Sequence, residues 1–180
     1  MALKLIDSYS EANRDSETKL YNGSWIKTAQ SFTAIGAKLT SCKLHLSKLG
    51  SPTGNAVAIL YAHSGTFGTS SVPTGAALAT SGNLDVATLT TSFQLITLTF
   101  TCAQQYGLLG GTKYCISLEY SGGNVSNALN GGRDDTSPTH AGNIANYASS
   151  WIAYSANDLC FYVYGDVVGC GFSGGQPWIF

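Results

Sequence analysis

Charge is scarce in this sequence. Nine Lys or Arg and ten Asp or Glu make up 11% of 180 residues, well under the roughly 25% usual in soluble domains. The formal net charge is −1, and the cations are scattered rather than gathered into a stripe. Such a chain offers no footprint for a phosphate backbone, so nucleic acid is not an expected partner. Long apolar runs are missing too. No stretch approaches the ~18 apolar residues of a membrane span, so membrane insertion is not expected. The segment Met1 to Tyr9 also lacks the basic and apolar regions of a secretion signal. On that reading the protein is made and kept in the cytosol.

Catalytic residue types are thin. The only glutamates are Glu11, Glu17 and Glu119, and the first two fall in one charged N-terminal segment. Glu119 alternates with Ile116, Leu118 and Tyr120 and should face solvent or a groove; a glycosidase could pair it with Asp85 or Asp158, but no spacing favours either. His45, His63 and His140 are isolated from one another and from any G-x-S-x-G elbow. The chain is therefore not expected to be an enzyme, and no cofactor is implied. Five cysteines, an odd number, contain no C-x-x-C pair, which argues against zinc. Cytosolic synthesis points to reduced thiols. Alternation puts Cys42 with Leu44 and Leu46, and Cys102 with Leu98 and Phe100, as small buried hydrophobes.

Glycine, Ser, Thr and Asn fill the quota that charge leaves empty, with 21 Gly in all. Period-two alternation dominates, and no window sustains a helical pattern over three turns. Strands are predicted over residues 2–9, 25–34, 38–49, 55–63, 93–102, 113–120, 144–154 and 158–168, with shorter ones near Leu20 and Leu78. Gly50 to Gly54, Gly65 to Gly68, Gly110-Gly111, Gly122-Gly123 and Gly131-Gly132 supply the turns between them. The predicted fold is all-β: an antiparallel β-sandwich, or jelly roll, of about eight to ten strands with little or no helix. One sandwich domain is expected over residues 1–165, followed by a tail, 166–180, that is Gly-rich and ends in Pro177-Trp178-Ile179-Phe180.

Several segments together resemble a known module: Asp7-Ser-Tyr-Ser-Glu11, Gln30-Ser-Phe-Thr33, Leu46 to Gly54, Ile59-Leu-Tyr-Ala62, Ser137-Pro-Thr-His140 and Asp158 to Gly165. The chain resembles a carbohydrate-binding-module-like jelly roll found in phage virion proteins and repetitive bacterial surface proteins. These motifs are strand ends and turns. The resemblance therefore implies a sandwich and, for a copy standing alone, a virion component assembling with other subunits or with itself. It does not by itself imply a sugar. An extracellular surface protein is the alternative setting.

Two regions stand out as candidate contact sites. The first is the polar stretch Asn130 to Asn143, predicted to form one long loop, in which Asp134, Asp135, His140 and Asn143 could meet sugar hydroxyls. Asp134, Asp135 and Asn143 could also present oxygens to Ca²⁺, although hard-cation sites usually take more carboxylates than this loop offers, and the alternative is that its side chains cap their own backbone. Beyond it Tyr147 and Trp151, on one side of a strand with Tyr154 on the other, could stack on a glycan ring. The alternative for all three is core packing, which Trp25 is also assigned. The second region is the tail: Phe172, Trp178, Ile179 and Phe180 could fold back over the sandwich or add to a neighbouring subunit.

Overall fold

The computed structural model describes residues 3–166; the tail residues Phe172, Trp178, Ile179 and Phe180 lie outside them. Described strands, numbered in chain order, form two sheets. The first contains β1 (Lys4–Tyr9), β2 (Ser16–Leu20), β4 (Ala37–Leu49), β8 (Gln94–Thr99), β9 (Gly107–Leu108), β11 (Ala128–Asp134), β14 (Asp158–Leu159) and β15 (Phe161–Asp166). Its spine runs β1-β15-β4-β11-β14. The second contains β3 (Lys27–Thr33), β5 (Asn55–Ser64), β6 (Val72–Thr80), β7 (Leu84–Asp85), β10 (Lys113–Glu119), β12 (Ile144–Tyr147) and β13 (Trp151–Tyr154), in the order β13-β12-β3-β10-β5-β6 with β7 on β5. All pairings between named strands are antiparallel. The only helical segments described are short 3-10 turns. The protein is an all-β sandwich.

Strict alternation builds the core. In β15, Phe161, Val163 and Gly165 point inward while Tyr162 and Tyr164 point out; β5 repeats the pattern with Ala56, Ala58 and Leu60 inside. Phe32, Phe100, Phe161, Leu44, Leu60, Ile116, Leu118 and Ile144 are fully buried between the sheets. Phe32 sits between the rings of Tyr114 and Phe161, at 6.1 and 6.5 Å.

Several sequence expectations need correction. Gly131 and Gly132 are not a turn but lie inside β11, and neither has a positive φ. At Gly132 a Cβ would meet Arg14 Cδ at 2.8 Å and His45 Nδ1 at 3.1 Å, so those side chains would have to shift to admit one. The glycine marks close packing in a strand rather than a reversal. The predicted strand 144–154 is likewise two strands, β12 and β13, joined by a hairpin. Tyr147 and Trp151 still share a face because they are cross-strand partners.

Cys42, Cys115 and Cys160 are free and buried; burial pushes each thiol up to about 12, which leaves them unreactive. Cys102 departs from the expectation of a buried, reduced thiol. Strand β8 stops at Thr99, so Cys102 falls in an exposed 3-10 turn (Cys102–Gln104), and it is disulfide-bonded.

Phe32→Ala removes a ring that packs both sheets together. It is expected to cost about 3 to 5 kcal/mol, read as a lowered urea midpoint with an unchanged slope.

Candidate functional site

The polar stretch 130–143 divides once the chain is folded. Its first residues belong to β11, and the loop proper holds 135–143. Asp134 is 2% exposed: its carboxylate accepts the Tyr9 hydroxyl at 2.6 Å and the backbone N–H groups of Thr136 and Ser137 at 3.1 and 3.0 Å. Asp135 pairs with Arg133 at 2.8 Å. Asn143 is buried and ties Ser71 to the sheet, accepting its N–H and donating to its carbonyl. These contacts hold the loop down through its own side chains.

His140 belongs to the same internal network. Its Nδ1 meets Gln30 Nε2 at 3.1 Å, its Nε2 meets Asp7 Oδ1 at 3.2 Å, and its N–H donates to Asp158 at 2.9 Å. Gln30 in turn donates to Asp158 and accepts from Leu159 N–H. Asp158 therefore lies on the inner side of β3, not beside Glu119, and burial pushes its carboxyl up against the opposing donors Gln30 and His140. Asp85 accepts from Ala87 N–H in a short 3-10 turn. Burial also acts to raise Asp7, but the His140 contact and the N–H groups of Thr33 and Ser8 outweigh it, and the net shift is below 3.8.

The aromatic candidates behave differently. Strands β3 and β10 are buried along nearly their whole length on both faces, so something covers the outer face of the second sheet. Its edge strands β6 and β13 approach each other across that face. On a flat sheet β5 and β13 would stand four spacings, or roughly 19 Å, apart. Yet the rings of Tyr61 on β5 and Trp151 on β13 are 6.4 Å apart. The sheet is curled into a trough. At one end the loop after β5 fills it, with Phe67 against His63 and under the Lys113 ammonium.

The other end is capped by half-buried Tyr61, Tyr147 and Trp151. Tyr147 and Trp151 meet edge to face at 5.3 Å. Beneath them the floor is small: Ala29, Ala145 and Ser117 are at most 1% exposed. Glu119 is fixed by three donors, Tyr61 Oη at 2.8 Å, Ser117 Oγ at 3.1 Å and Lys27 Nζ at 2.8 Å. Lys27 also lies 5.2 Å from the Tyr147 ring centroid. Burial, then Glu119, pushes the Tyr61 phenol above its ordinary range, so it stays a hydrogen-bond donor. A carboxylate so engaged orients its neighbours and presents a fixed polar edge beside apolar ring faces. The arrangement suits recognition of a ligand with both a flat apolar face and polar substituents.

Tyr147 and Trp151 are thus brought together, while Asp134, Asp135, His140 and Asn143 are held in a separate structural network. Sequence reasoning did not name Tyr61 or Lys27. The outward alternation of Tyr61 was legible, but its meeting with Trp151 depends on the curl of the sheet. No family model matches this chain, and no curated protein matches it.

The His140 network carries a pH signature. Because Asp7 has a folded value below its unfolded one, it contributes stability that is complete above the unfolded value and lost as pH falls through the folded value. Asp158 acts in the opposite sense, its ionisation weakening the fold as pH rises. Asp7→Asn is expected to lower the melting temperature at pH 7 and to flatten the acid limb of its pH profile. An acid limb that overlays the wild type removes Asp7 from the acid response.

Proposed function

We propose that this protein is a non-enzymatic binding module that recognises a glycan through the aromatic end of the trough. The observation that carries this reading is the ring of Tyr61, Tyr147 and Trp151 around the Lys27–Glu119 pair. Pyranose rings have an apolar face that stacks on aromatic side chains and hydroxyls that bond to fixed charges. Glu119 supports a binding role because three donors already hold its carboxylate. The site overlaps the candidate region 130–154 only at Tyr147 and Trp151.

Assembly as a virion structural protein, in a capsid decoration or a tail fibre, is the second reading, and it accords with the sequence resemblance. One observation favours it. Leu3, Leu5 and Leu109 are 57%, 46% and 67% exposed. They lie towards the end of the sandwich where β15 finishes, since Lys4 pairs with Gly165 and Lys38 pairs with both Asp166 and Gly107. Apolar side chains clustered beside the start of an apolar tail suit contact with a subunit, a copy of this chain included. The two readings are compatible in a virion protein that also adheres to a host surface.

A glycan array comparing the native chain with Trp151→Ala tests the first reading: saturable binding weakened at least about tenfold in the variant is expected, and the absence of saturable binding by the native chain overturns it. For the second, deletion of residues 171–180 is expected to abolish oligomerisation and particle incorporation. Unchanged assembly removes the tail from the mechanism.

A further inference from the structure

Away from the trough, a solvent-open cavity of about 330 Å³ lies where β2 meets the segment leading into β3; Thr18, Tyr21, Trp25 and Arg133 line it together with the charged side chains of Glu17 and Lys19. Buried polar atoms normally find partners. Here Thr18 Oγ1, Thr28 Oγ1, Asn146 Oδ1 and Arg133 Nε have none, and Thr18, Thr28 and Asn146 are only 2%, 0% and 1% exposed. His45 Nδ1 and Asn130 Oδ1 are likewise unpartnered, away from the cavity lining. Thr18 stands opposite Gly131 in one sheet and Thr28 opposite Asn146 in the other. Gly131 faces the Thr28 methyl, for a Cβ there would lie in ordinary contact, 3.8 Å, with Thr28 Cγ2. Of the first four orphans, Thr18 and Arg133 line the cavity itself, while Thr28 and Asn146 stand on the facing sheet.

The chemistry of the orphans defines an occupant. Arg133 already has its charge met by Asp135 through Nη2 at 2.8 Å, so its remaining Nε–H calls for a neutral acceptor rather than a second anion. The Thr18 hydroxyl can play either part, and Glu17 and Lys19 add an acceptor and a donor to the lining. A hydroxyl group both donates and accepts. Trp25, partly buried against the core, adds an apolar wall, and the volume lies within the range of small-molecule pockets.

We propose that this cavity is a binding site for a small neutral polyol, independent of the outer trough. The test is an NMR titration of the full ¹⁵N-labelled chain with myo-inositol and with sorbitol. Saturable shifts are expected at the Trp25 indole N–H and at the Thr18 and Gly131 amides. Thr18→Val keeps the side-chain shape and removes an orphaned hydroxyl. It is expected to weaken binding about tenfold while leaving the melting temperature equal or higher.

Gly131→Ala is a second variant that the fold accommodates, its nearest new contact being 3.5 Å to Leu159 Cδ1. Placed directly opposite Thr18, the added methyl should also weaken binding. No saturable shift up to roughly 100 mM polyol, far weaker than ordinary ligand affinity, overturns the proposal. So do shifts confined to Trp151 and Tyr147, which report the outer trough, and binding unaltered in both variants. A lowered melting temperature for Thr18→Val overturns it as well, because the hydroxyl is then satisfied by enclosed water alone.

Discussion

The second sheet buries its central strands on both faces, and much of the molecule follows from that. An antiparallel sheet usually covers one face with its partner and wets the other. Here Ala29, Ser31, Cys115 and Ser117 on the outer side of β3 and β10 are at most 1% exposed, although the first sheet lies on the opposite side. Small side chains on the floor let the sheet curl, and the edges β6 and β13 close over it. Curling raises the rings of Tyr61 and Trp151 to meet above that floor. The covered outer face and the aromatic site are therefore one structural fact.

Polar groups in the interior divide into two populations. Around His140 they are matched: Asp7, Gln30, Asp158, Tyr9 and Asp134 satisfy one another and pin the 135–143 loop. Such a network, fully connected, fixes one arrangement of loop and sheet. Around Gly131 they are unmatched, with orphaned oxygens on Thr18, Thr28 and Asn146. The densest polar segment in the chain is thus architectural, while the incomplete chemistry sits at an inconspicuous strand pair. Polarity along the sequence does not measure availability in the fold.

Much of the architecture was legible beforehand. Phe161 to Tyr164 and Ala56 to Leu60 alternate cleanly, so strand identity and inward faces could be read from period two alone. Glycines at positions 50, 54, 65, 68, 111 and 123 do take positive φ, as turn glycines should. Gly131 and Gly132 have the same letters but serve close packing, a distinction that depends on Arg14, His45 and Thr28 approaching from elsewhere. Of the aromatic site, Tyr147 and Trp151 were visible as outward rings, whereas Tyr61 and Lys27 could be recruited only by register across β10, β3 and β12.

The sequence by itself determined the strands, their sidedness and most of their turns, because each depends on residues a few positions apart. Only the tertiary structure decided which outward side chains are covered and which remain open. It also decided which polar groups find partners and that β5 meets β13. Those outcomes depend on register and sheet curvature, which arise from contacts between distant segments and have no local signature in the chain.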